Sequence, residues 1–396
     1  MVHRAPPLLV VVAFVAFISL GLPDAVLGVA WPSIRQTFHL SLSRLGELLA
    51  TSMVGYLLSS ATSGPVVRRV GVGRLLLGSS ALMVLSLVGY ATAPTWWVMV
   101  ACGLLAGLGA GAVDAGINAY AADHFLPRQV TWLHACYGVG ATLGPLTMTT
   151  VLSAGLPWRW GYAVIGAVLS LMAILFLATL PLWTVREAEG AEPAPAAATA
   201  AQTLRLPLAW MHIALFFLYT GLEITAGQWL YSLLTGSRGF APALAGICVG
   251  LYWAGLTAGR VAFGLAATRF RRRSILRLGM AAAPVAALLI GWGGAPAVTL
   301  AAATLLGFAL APIFPLLISA TPDRLGREYS VHAIGFEVSA AYLGGAALPS
   351  AAGILAKSYG LEVIGGFLFC ASLGLLALHE LALRMPRPHR PASLAP

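Results

Sequence analysis

The segment that decides the fold covers residues 102–120 and reads CGLLAGLGAGAVDAGINAY. It is apolar, and Gly103, Gly107 and Gly111 recur every four residues. On a helix this spacing places the glycines on one smooth stripe, where a second helix can approach closely. The segment contains one carboxylate, Asp114, and Asn118 shares its face one turn later. A carboxylate in so apolar a helix is costly, so it normally faces a bundle interior or a water-filled cavity on the path of an ion or substrate.

The composition indicates a membrane protein. Of the 396 residues, 59% are hydrophobic and 9% are charged, whereas a soluble domain carries about 25% charged residues. We therefore expect an all-α protein that crosses the lipid bilayer many times. The net charge of +10 does not indicate a nucleic-acid partner, because the basic residues lie at the ends of apolar segments. The four cysteines lie in separate apolar stretches without metal-ligand spacing, so we expect neither a metal site nor a disulfide framework.

Twelve apolar segments reach the length of about 20 residues that a membrane helix needs. A longer polar connection, with three glutamates, two prolines and a run of alanines, follows the sixth segment. We therefore predict two six-helix halves, residues 1–184 and 207–396, joined by a cytoplasmic linker at 185–206. The predicted spans are 8–30, 44–66, 72–92, 96–120, 131–154, 159–183, 207–233, 241–267, 274–294, 297–320, 331–356 and 361–383.

The basic residues predict the orientation, because they concentrate on the cytoplasmic side of membrane proteins. With both termini in the cytoplasm, the inner loops and tails hold 17 basic residues and the outer loops hold 5. We further expect the chain to lie in the cell inner membrane, as a monomer. The inner set is Arg4, Arg68, Arg69, Arg74, Arg128, Arg186, Arg205, Arg269, Arg271, Arg272, Arg273, Arg277, Arg324, Arg327, Arg384, Arg387 and Arg390; the outer set is Arg35, Arg44, Arg159, Arg238 and Lys357.

The two halves carry similar short sequences at corresponding places. GPVVRRVGVGR at 64–74 follows the second span, and GRVAFG at 259–264 with TRFRRR at 268–273 follows the eighth. GATLGP at 140–145 in the fifth span is matched by GGAALP at 344–349 in the eleventh. Repeated six-helix halves are typical of secondary transporters, whose substrate site lies near the middle of the membrane between the halves.

These features resemble the major facilitator superfamily. In its usual loop motif an Asp stands four residues after the first Gly, but here Arg68 and Thr268 occupy that place. Within the superfamily, GLPDAVLG at 21–28, Asp114 and HACYGVGA at 134–141 resemble the fucose-permease-like sugar:proton symporters. That branch has one acid in helix one and another, usually Glu, in helix four. The resemblance implies twelve helices and a proton-coupled mechanism that uses Asp114.

Three residues are predicted to take part in proton coupling. Asp24 follows Pro23, which loosens the helix backbone; it binds a proton or a sugar hydroxyl, or else lies at the outer mouth in a structural role. Asp114 is the acid most deeply set in an apolar helix, where burial favours the neutral form. His134 is either a relay to Asp114, a substrate contact or a core histidine bonded to a carbonyl.

Four of the eight predicted substrate residues lie on the seventh span. Tyr219, Glu223 and Gln228 lie near one another on a helix, and Trp229 is adjacent. Directional hydrogen bonds and a flat apolar ring are what a sugar requires, although such aromatic residues also pack between helices. Glu337 is left open between a cavity position and a structural pair. The complete predicted set is Asn118, Tyr219, Glu223, Gln228, Trp229, Tyr252, Trp253 and Glu337.

The sequence thus predicts a proton-coupled symporter of a neutral, hydroxylated small solute, a monosaccharide, that works by alternating access and needs no cofactor besides protons. The alternative is a proton-driven exporter of lipophilic or cationic compounds, because GATLGP at 140–145 also resembles the helix-five motif of proton antiporters. A non-transporting receptor on this fold is a third possibility. An enzyme is disfavoured, since the sequence shows no catalytic triad, metal-ligand set or phosphate-binding loop with lysine.

Overall fold

The computed structural model describes residues 6–183, 198–266 and 271–386, which form twelve long helices. The predicted all-α fold of twelve helices is confirmed, and each predicted span coincides with one of them. Their bounds are α1 Pro7–Thr37, α2 Leu45–Val70, α3 Val72–Thr92, α4 Trp96–His124, α5 Pro127–Ser153, α6 Arg159–Thr179, α7 Pro207–Gly236, α8 Pro242–Ala266, α9 Arg272–Trp292, α10 Pro296–Leu325, α11 Arg327–Tyr359 and α12 Val363–Arg384.

Two of these helices are interrupted. α1 consists of Pro7–Asp24 and Val26–Thr37, with Ala25 between them. Pro23 in the last turn of the first segment removes a backbone donor and so weakens the helix at that point. α10 consists of Pro296–Leu310 and Ile313–Leu325, and Pro312 precedes its second segment. Both helices extend beyond the predicted spans 8–30 and 297–320.

Ten of the twelve helices in the described ranges are long and apolar enough to cross a membrane. The two that fall short are α2 and α5, which carry more serine, threonine and charged residues. Both lie where the halves of the molecule meet, since α2 packs against α11 and α5 against α8. Their polarity is therefore consistent with a position facing protein rather than lipid.

Glycines join helices within each half at backbone distance. An added Cβ on Gly55 of α2 would overlap the carbonyl oxygen of Leu104 on α4, and one on Gly107 would overlap that of Ser52. The glycine stripe of the opening segment is therefore the α2–α4 contact. The same reciprocal arrangement joins α1 to α5 at Gly21 and Gly144, α7 to α11 at Gly221 and Gly344, and α8 to α10 at Gly255 and Gly307. Each of the four crossing glycines of the first half has its counterpart 200 residues later, as for Gly107 and Gly307.

The halves meet in the middle of the bundle and at the end opposite Pro6 and Met385. There the second segment of α1 packs on α7, α2 packs on α11 and α5 packs on α8. Gly46 of α2 lies against Ser350 of α11, and Gly246 of α8 lies against Thr149 of α5. At the end where the described chain begins and ends, near Pro6 and Met385 and here called the terminal end, residues 61–70 of α2 are exposed or half-buried around the whole helix. The space between the halves therefore opens toward the terminal end.

The connection between the halves ends in a short helix, Ala200–Leu204. Thr199 caps it by accepting a hydrogen bond from the backbone N–H of Gln202 at 3.2 Å. The N–H of Ala198 donates to the carbonyl oxygen of Glu328 at 2.9 Å, which ties the connection to the start of α11. The predicted domain boundaries 1–184, 185–206 and 207–396 stay a prediction, because residues 184–197 lie outside the described ranges.

Candidate functional site

Three carboxylates lie at the middle of the bundle, where the two halves face each other. Asp24 comes from α1, Asp114 from α4 and Glu223 from α7, and Arg260 on α8 is the cation beside them. Asp24 and Asp114 are close enough to repel each other, and Arg260 interacts electrostatically with Glu223 and with Tyr137 of α5. The site therefore draws charged groups from both halves of the chain.

Asp24 lies at the break in α1, and its side chain is exposed to the space between the halves. Its carboxylate accepts a hydrogen bond from the hydroxyl of Tyr137 at 2.8 Å. Its backbone carbonyl accepts one from the side-chain amide of Gln228 on α7 at 3.4 Å. The interruption at Ala25 thus places the acid Asp24, with a backbone carbonyl that bonds to Gln228, beside a helix of the other half.

Asp114 is held by two donors and linked to the opposite half. The hydroxyl of Tyr56 donates to one carboxylate oxygen at 2.5 Å, and the amide of Asn118 donates to the other at 2.9 Å. The hydroxyl of Tyr342, on α11, donates in turn to that of Tyr56. The two tyrosine rings lie 3.9 Å apart between centroids and 32° from parallel. A change in the charge of Asp114 would therefore act directly on a contact between the halves.

Glu223 forms the corresponding cluster in the second half. Its carboxylate accepts a hydrogen bond from the hydroxyl of Tyr219 and lies 3.4 Å from the guanidinium of Arg260. Its backbone carbonyl accepts a hydrogen bond from the hydroxyl of Tyr252 at 2.8 Å. The glutamate is buried and the arginine side chain is 21% exposed. When all three acids are ionised, one cation leaves an excess of negative charge, which the uptake of a proton would reduce.

His134 lies one turn from Tyr137 on α5, and its side chain is exposed. Its ring meets that of Phe17 on α1 edge-on at 5.5 Å. Arg260 is near enough to interact with it electrostatically. The histidine therefore belongs to the same region as Asp24, and its predicted relay to Asp114 stays a prediction.

The predicted aromatic platform is packed between helices in this conformation. Trp229, Tyr252 and Trp253 are all buried. The indole N–H of Trp229 donates to the carbonyl oxygen of Pro349 at 2.9 Å, which joins α7 to α11. The ring of Trp253 lies against Gly227 of α7. Among the predicted substrate residues, the ones bonded to the central acids or part of them are Asn118, Tyr219, Glu223, Gln228 and Tyr252. Their contact with a substrate stays a prediction.

Glu337 lies away from these acids. It has no exposed surface, and His212 of α7 lies 3.0 Å from one of its carboxylate oxygens. The hydroxyl of Thr321 donates to the same carboxylate at 2.9 and 2.8 Å. Of the two roles that the sequence left open, the geometry matches the structural pair, while the contact with substrate stays a prediction.

Sequence reasoning missed several members of the site. Arg260 is absent from the predicted site, yet it pairs with Glu223. Its position inside an apolar span was the available signal, because a buried cation needs a carboxylate partner. Tyr56 and Tyr137 gave no such signal, since a tyrosine in a membrane helix is equally compatible with packing.

The chain matches the family model described as Major Facilitator Superfamily over residues 9–235 and again over 211–395. Among sequence relatives, Bypass of stop codon protein 6 of Saccharomyces cerevisiae is 24% identical, with 90% of this chain and 78% of the relative covered. The glucose/mannose transporter GlcP of Bacillus subtilis is 19% identical, with 83% of both chains covered. The human sodium-dependent glucose transporter 1 is 24% identical, with 87% of this chain and 73% of the relative covered.

Three solved structures share the fold. The nucleoside transporter NupG, as a point mutant, has a TM-score of 0.79 at 12% identity and covers 94% of this chain and 99% of its own. The D-xylose-proton symporter has a TM-score of 0.73 at 16% identity, and the match covers 93% of this chain and 96% of the symporter chain. A variant of the E. coli fucose:proton symporter FucP has a TM-score of 0.66 at 14% identity, and the match covers 96% of this chain and 99% of the FucP chain. At these identities the likeness establishes the fold, and the three solved structures are named as a transporter and two proton symporters.

Proposed function

The chain belongs to the Major Facilitator Superfamily and is a multi-pass membrane transporter rather than an enzyme, and from that premise we propose that it is a proton-coupled symporter of a neutral monosaccharide. The solute binds between the halves and crosses by alternating access. A proton on the central acids accompanies it. The coupling ion is the proton, and no further cofactor is required.

The observation that carries the proposal is the position of Asp114. Its carboxylate is bonded to Tyr56, which is bonded to Tyr342 of the other half. Protonation removes the negative charge and turns a charge-assisted hydrogen bond into a weaker neutral one. The same event therefore lowers the cost of enclosing the acid and alters a contact that the halves must break and remake.

The nature of the solute follows from the groups around the acids. Asn118, Gln228 and the tyrosine hydroxyls offer uncharged donors and acceptors, which suit a hydroxylated solute. Arg260 is already paired with Glu223, so an anionic solute would have to displace that carboxylate. Sugar transporters among the relatives, such as GlcP, support the same class.

We further propose that the terminal end of the bundle faces the cytoplasm, on the basis of the 17-to-5 distribution of basic residues. A cysteine placed beside Lys357 is then expected to react with a membrane-impermeant maleimide added to intact cells. One placed beside Arg272 is expected to react only after the cells are opened. The reverse pattern would reject the orientation.

The test of function is uptake into proteoliposomes that hold the purified protein. A panel of radiolabelled monosaccharides is measured with an inward proton gradient, with a sodium gradient instead, and with neither. Accumulation of a sugar that requires the proton gradient supports the proposal. Accumulation with the sodium gradient alone rejects the proton as the coupling ion. Sodium coupling is the possibility raised by the human sodium-dependent relative.

The alternative function, proton-driven export of lipophilic or cationic compounds, draws support from the excess of carboxylates over cations in the site. The helix-five motif adds little to it, because Gly140 and Gly144 pack on the backbone of α1. Proton-driven efflux of a lipophilic cation, with no sugar taken up, would establish this alternative in place of the symporter.

A further inference from the structure

A second group of polar side chains lies inside the C-terminal half and plays no part in the proposed mechanism. It consists of His212 on α7, Thr321 on the second segment of α10, Glu337 on α11 and His379 on α12. His212, Glu337 and His379 are 4%, 0% and 4% exposed. Each of His212, Thr321 and His379 lies four or five residues from a helix end on the terminal side, which is about 6–8 Å along a helix.

The contacts within this group are close. Glu337 lies 3.0 Å from the Nδ1 of His212 and accepts hydrogen bonds from Thr321 at 2.9 and 2.8 Å. His379 interacts electrostatically with His212. Within the described part of the chain, its Nε2 is buried without a hydrogen-bond partner. Three helices thus meet in one hydrogen-bonded polar cluster, and α12 adds beside it a buried histidine whose Nε2 has no hydrogen-bond partner in the described residues.

We propose that His212, Thr321, Glu337 and His379 form a second proton-binding site, separate from the central acids, whose protonation sets how firmly the segment Ile313–Leu325 of α10 is held against α7 and α11. The ligand is a proton that enters from the terminal side. This site adds to the proposed function, but its existence does not depend on which solute is carried.

The charge balance explains why the number of protons matters. An ionised Glu337 without a cation would be a costly buried charge, so the His212–Glu337 pair retains one proton between its members. A second proton would have to settle on Glu337 or on His379, and either choice leaves a net positive charge in the interior. On Glu337 it would also remove the negative charge that strengthens the hydrogen bond from Thr321 and turn one carboxyl oxygen into a donor, which weakens the attachment of Thr321 and hence of α10.

Among the surrounding charges, Arg324 and Arg277 are bonded to groups at the terminal end, and all of these charges are common to the parent and to the variants tested below. Arg324 of α10 donates to the carbonyl oxygen of Ala382 at 2.5 Å. Arg277 of α9 donates to Glu380 of α12 at 2.7 and 2.5 Å. The charged groups that act on His379 besides His212 are Arg273, Arg277 and Glu380.

The first measurement is thermal unfolding of the purified, solute-free protein as a function of pH. On this proposal a second proton leaves a net positive charge in the folded interior, whereas the unfolded chain holds the same charge in water. Stability is therefore expected to fall as the pH is lowered from neutral. H212Q/E337Q, which leaves an uncharged pair of amides, and H379Q are each expected to reduce this fall. The triple variant is expected to lose most of it.

The second measurement locates the effect in α10. Hydrogen exchange of residues 313–325 is compared between parent and H212Q/E337Q at the same pH, so that intrinsic exchange rates cancel. At neutral pH the variant is expected to exchange on the order of tenfold faster, because the ion pair is lost. At acidic pH the exchange rates of the parent and of H212Q/E337Q should converge, since the parent has taken up its second proton. A purely structural role would leave the difference independent of pH.

The matched control is H332Q, which removes a half-buried histidine of α11 outside the cluster and should keep the pH dependence of the parent. The proposal is overturned if the triple variant and the control both unfold with the pH dependence of the parent. None of these measurements involves transport, so they are decided independently of the symport proposal. Conversely, if E337Q weakens solute affinity and leaves the pH dependence unchanged, Glu337 belongs to the solute site.

Discussion

Replacing Asp114 by asparagine tests the coupling mechanism with little change of shape. The new amide can accept the hydrogen bond from Asn118 through its oxygen and donate to the hydroxyl of Tyr56 through its nitrogen. Tyr56 can continue to meet Tyr342. The variant thus imitates the protonated acid while preserving the two contacts seen at 2.5 and 2.9 Å.

The expected energies follow from these contacts. A hydrogen bond to a charged group contributes about 1.5–3 kcal/mol and a neutral one about 0.5–1.5 kcal/mol, so each of the two bonds loses roughly 1 kcal/mol. Such a loss is small enough for the protein to fold and bind its solute. Accumulation is affected far more. One pH unit supplies about 1.4 kcal/mol per proton, or about tenfold accumulation of a solute carried with one proton, and a variant that never releases a proton gains none of it.

The assay is uptake into proteoliposomes under a gradient of one pH unit, with the membrane potential clamped to zero by potassium and valinomycin. D114N is expected to exchange labelled for unlabelled solute at equilibrium and to fail to concentrate it. The matched control is D323N, since Asp323 is an exposed acid 3.1 Å from Arg272 at the terminal end, and it should accumulate solute normally. If D114N accumulates solute as well as the parent does, the reasoning is refuted, and the coupling role passes to Asp24, Glu223 or Glu337.

Three further variants test other contacts of the site. Y342F removes the hydroxyl that donates to Tyr56. We expect the contact between the halves to lose about 0.5–1.5 kcal/mol and the rate of equilibrium solute exchange to change. An unaltered exchange rate would show that this hydrogen bond does not contribute to the transport cycle. R260M leaves Glu223 as an unpaired buried charge, which is expected to lower the free energy of unfolding by roughly 3–5 kcal/mol. The double variant R260M/E223Q should regain much of the lost free energy of unfolding. If it regains none, the pairing of Arg260 with Glu223 is contradicted. Q228A removes a buried amide beside the break in α1; solute affinity measured by equilibrium binding should fall by on the order of 1–3 kcal/mol, and unchanged affinity would remove this residue from the site.

The twelve helices and the close packing of α4 could be predicted because both follow from local properties of the chain. Hydropathy over about 20 residues identifies a membrane span. Glycines four residues apart lie on one face of any helix, whatever its partner, so the stripe through Gly107 had a single interpretation. The bond between Asp114 and Asn118 follows from the same periodicity.

The remaining features depend on which helices become neighbours. Tyr56 and Tyr342 are 286 residues apart, and nothing local to either residue specifies the other. Arg260 and Glu223 lie on consecutive helices, but only the rotation of α8 about its axis brings them together. Glu337 is on the face of α11 toward α7 and α10 rather than toward the cavity, and helix rotation of this kind is set by packing across the whole half.

The reciprocal glycine crossings have a consequence for the history and engineering of the chain. Counterparts at a constant spacing of 200 residues, such as Gly55 and Gly255, are what a gene duplication leaves when insertions and deletions have cancelled between the copies. All four crossings join helices of the same half, and both described ends of the chain, near Pro6 and Met385, lie at the same end of the bundle. A circular permutant that begins near residue 198, joins the old termini by a flexible peptide and ends near residue 183 keeps the residues of every crossing. We therefore expect it to fold, and its folding would show that the order in which the two halves are synthesised does not specify the fold.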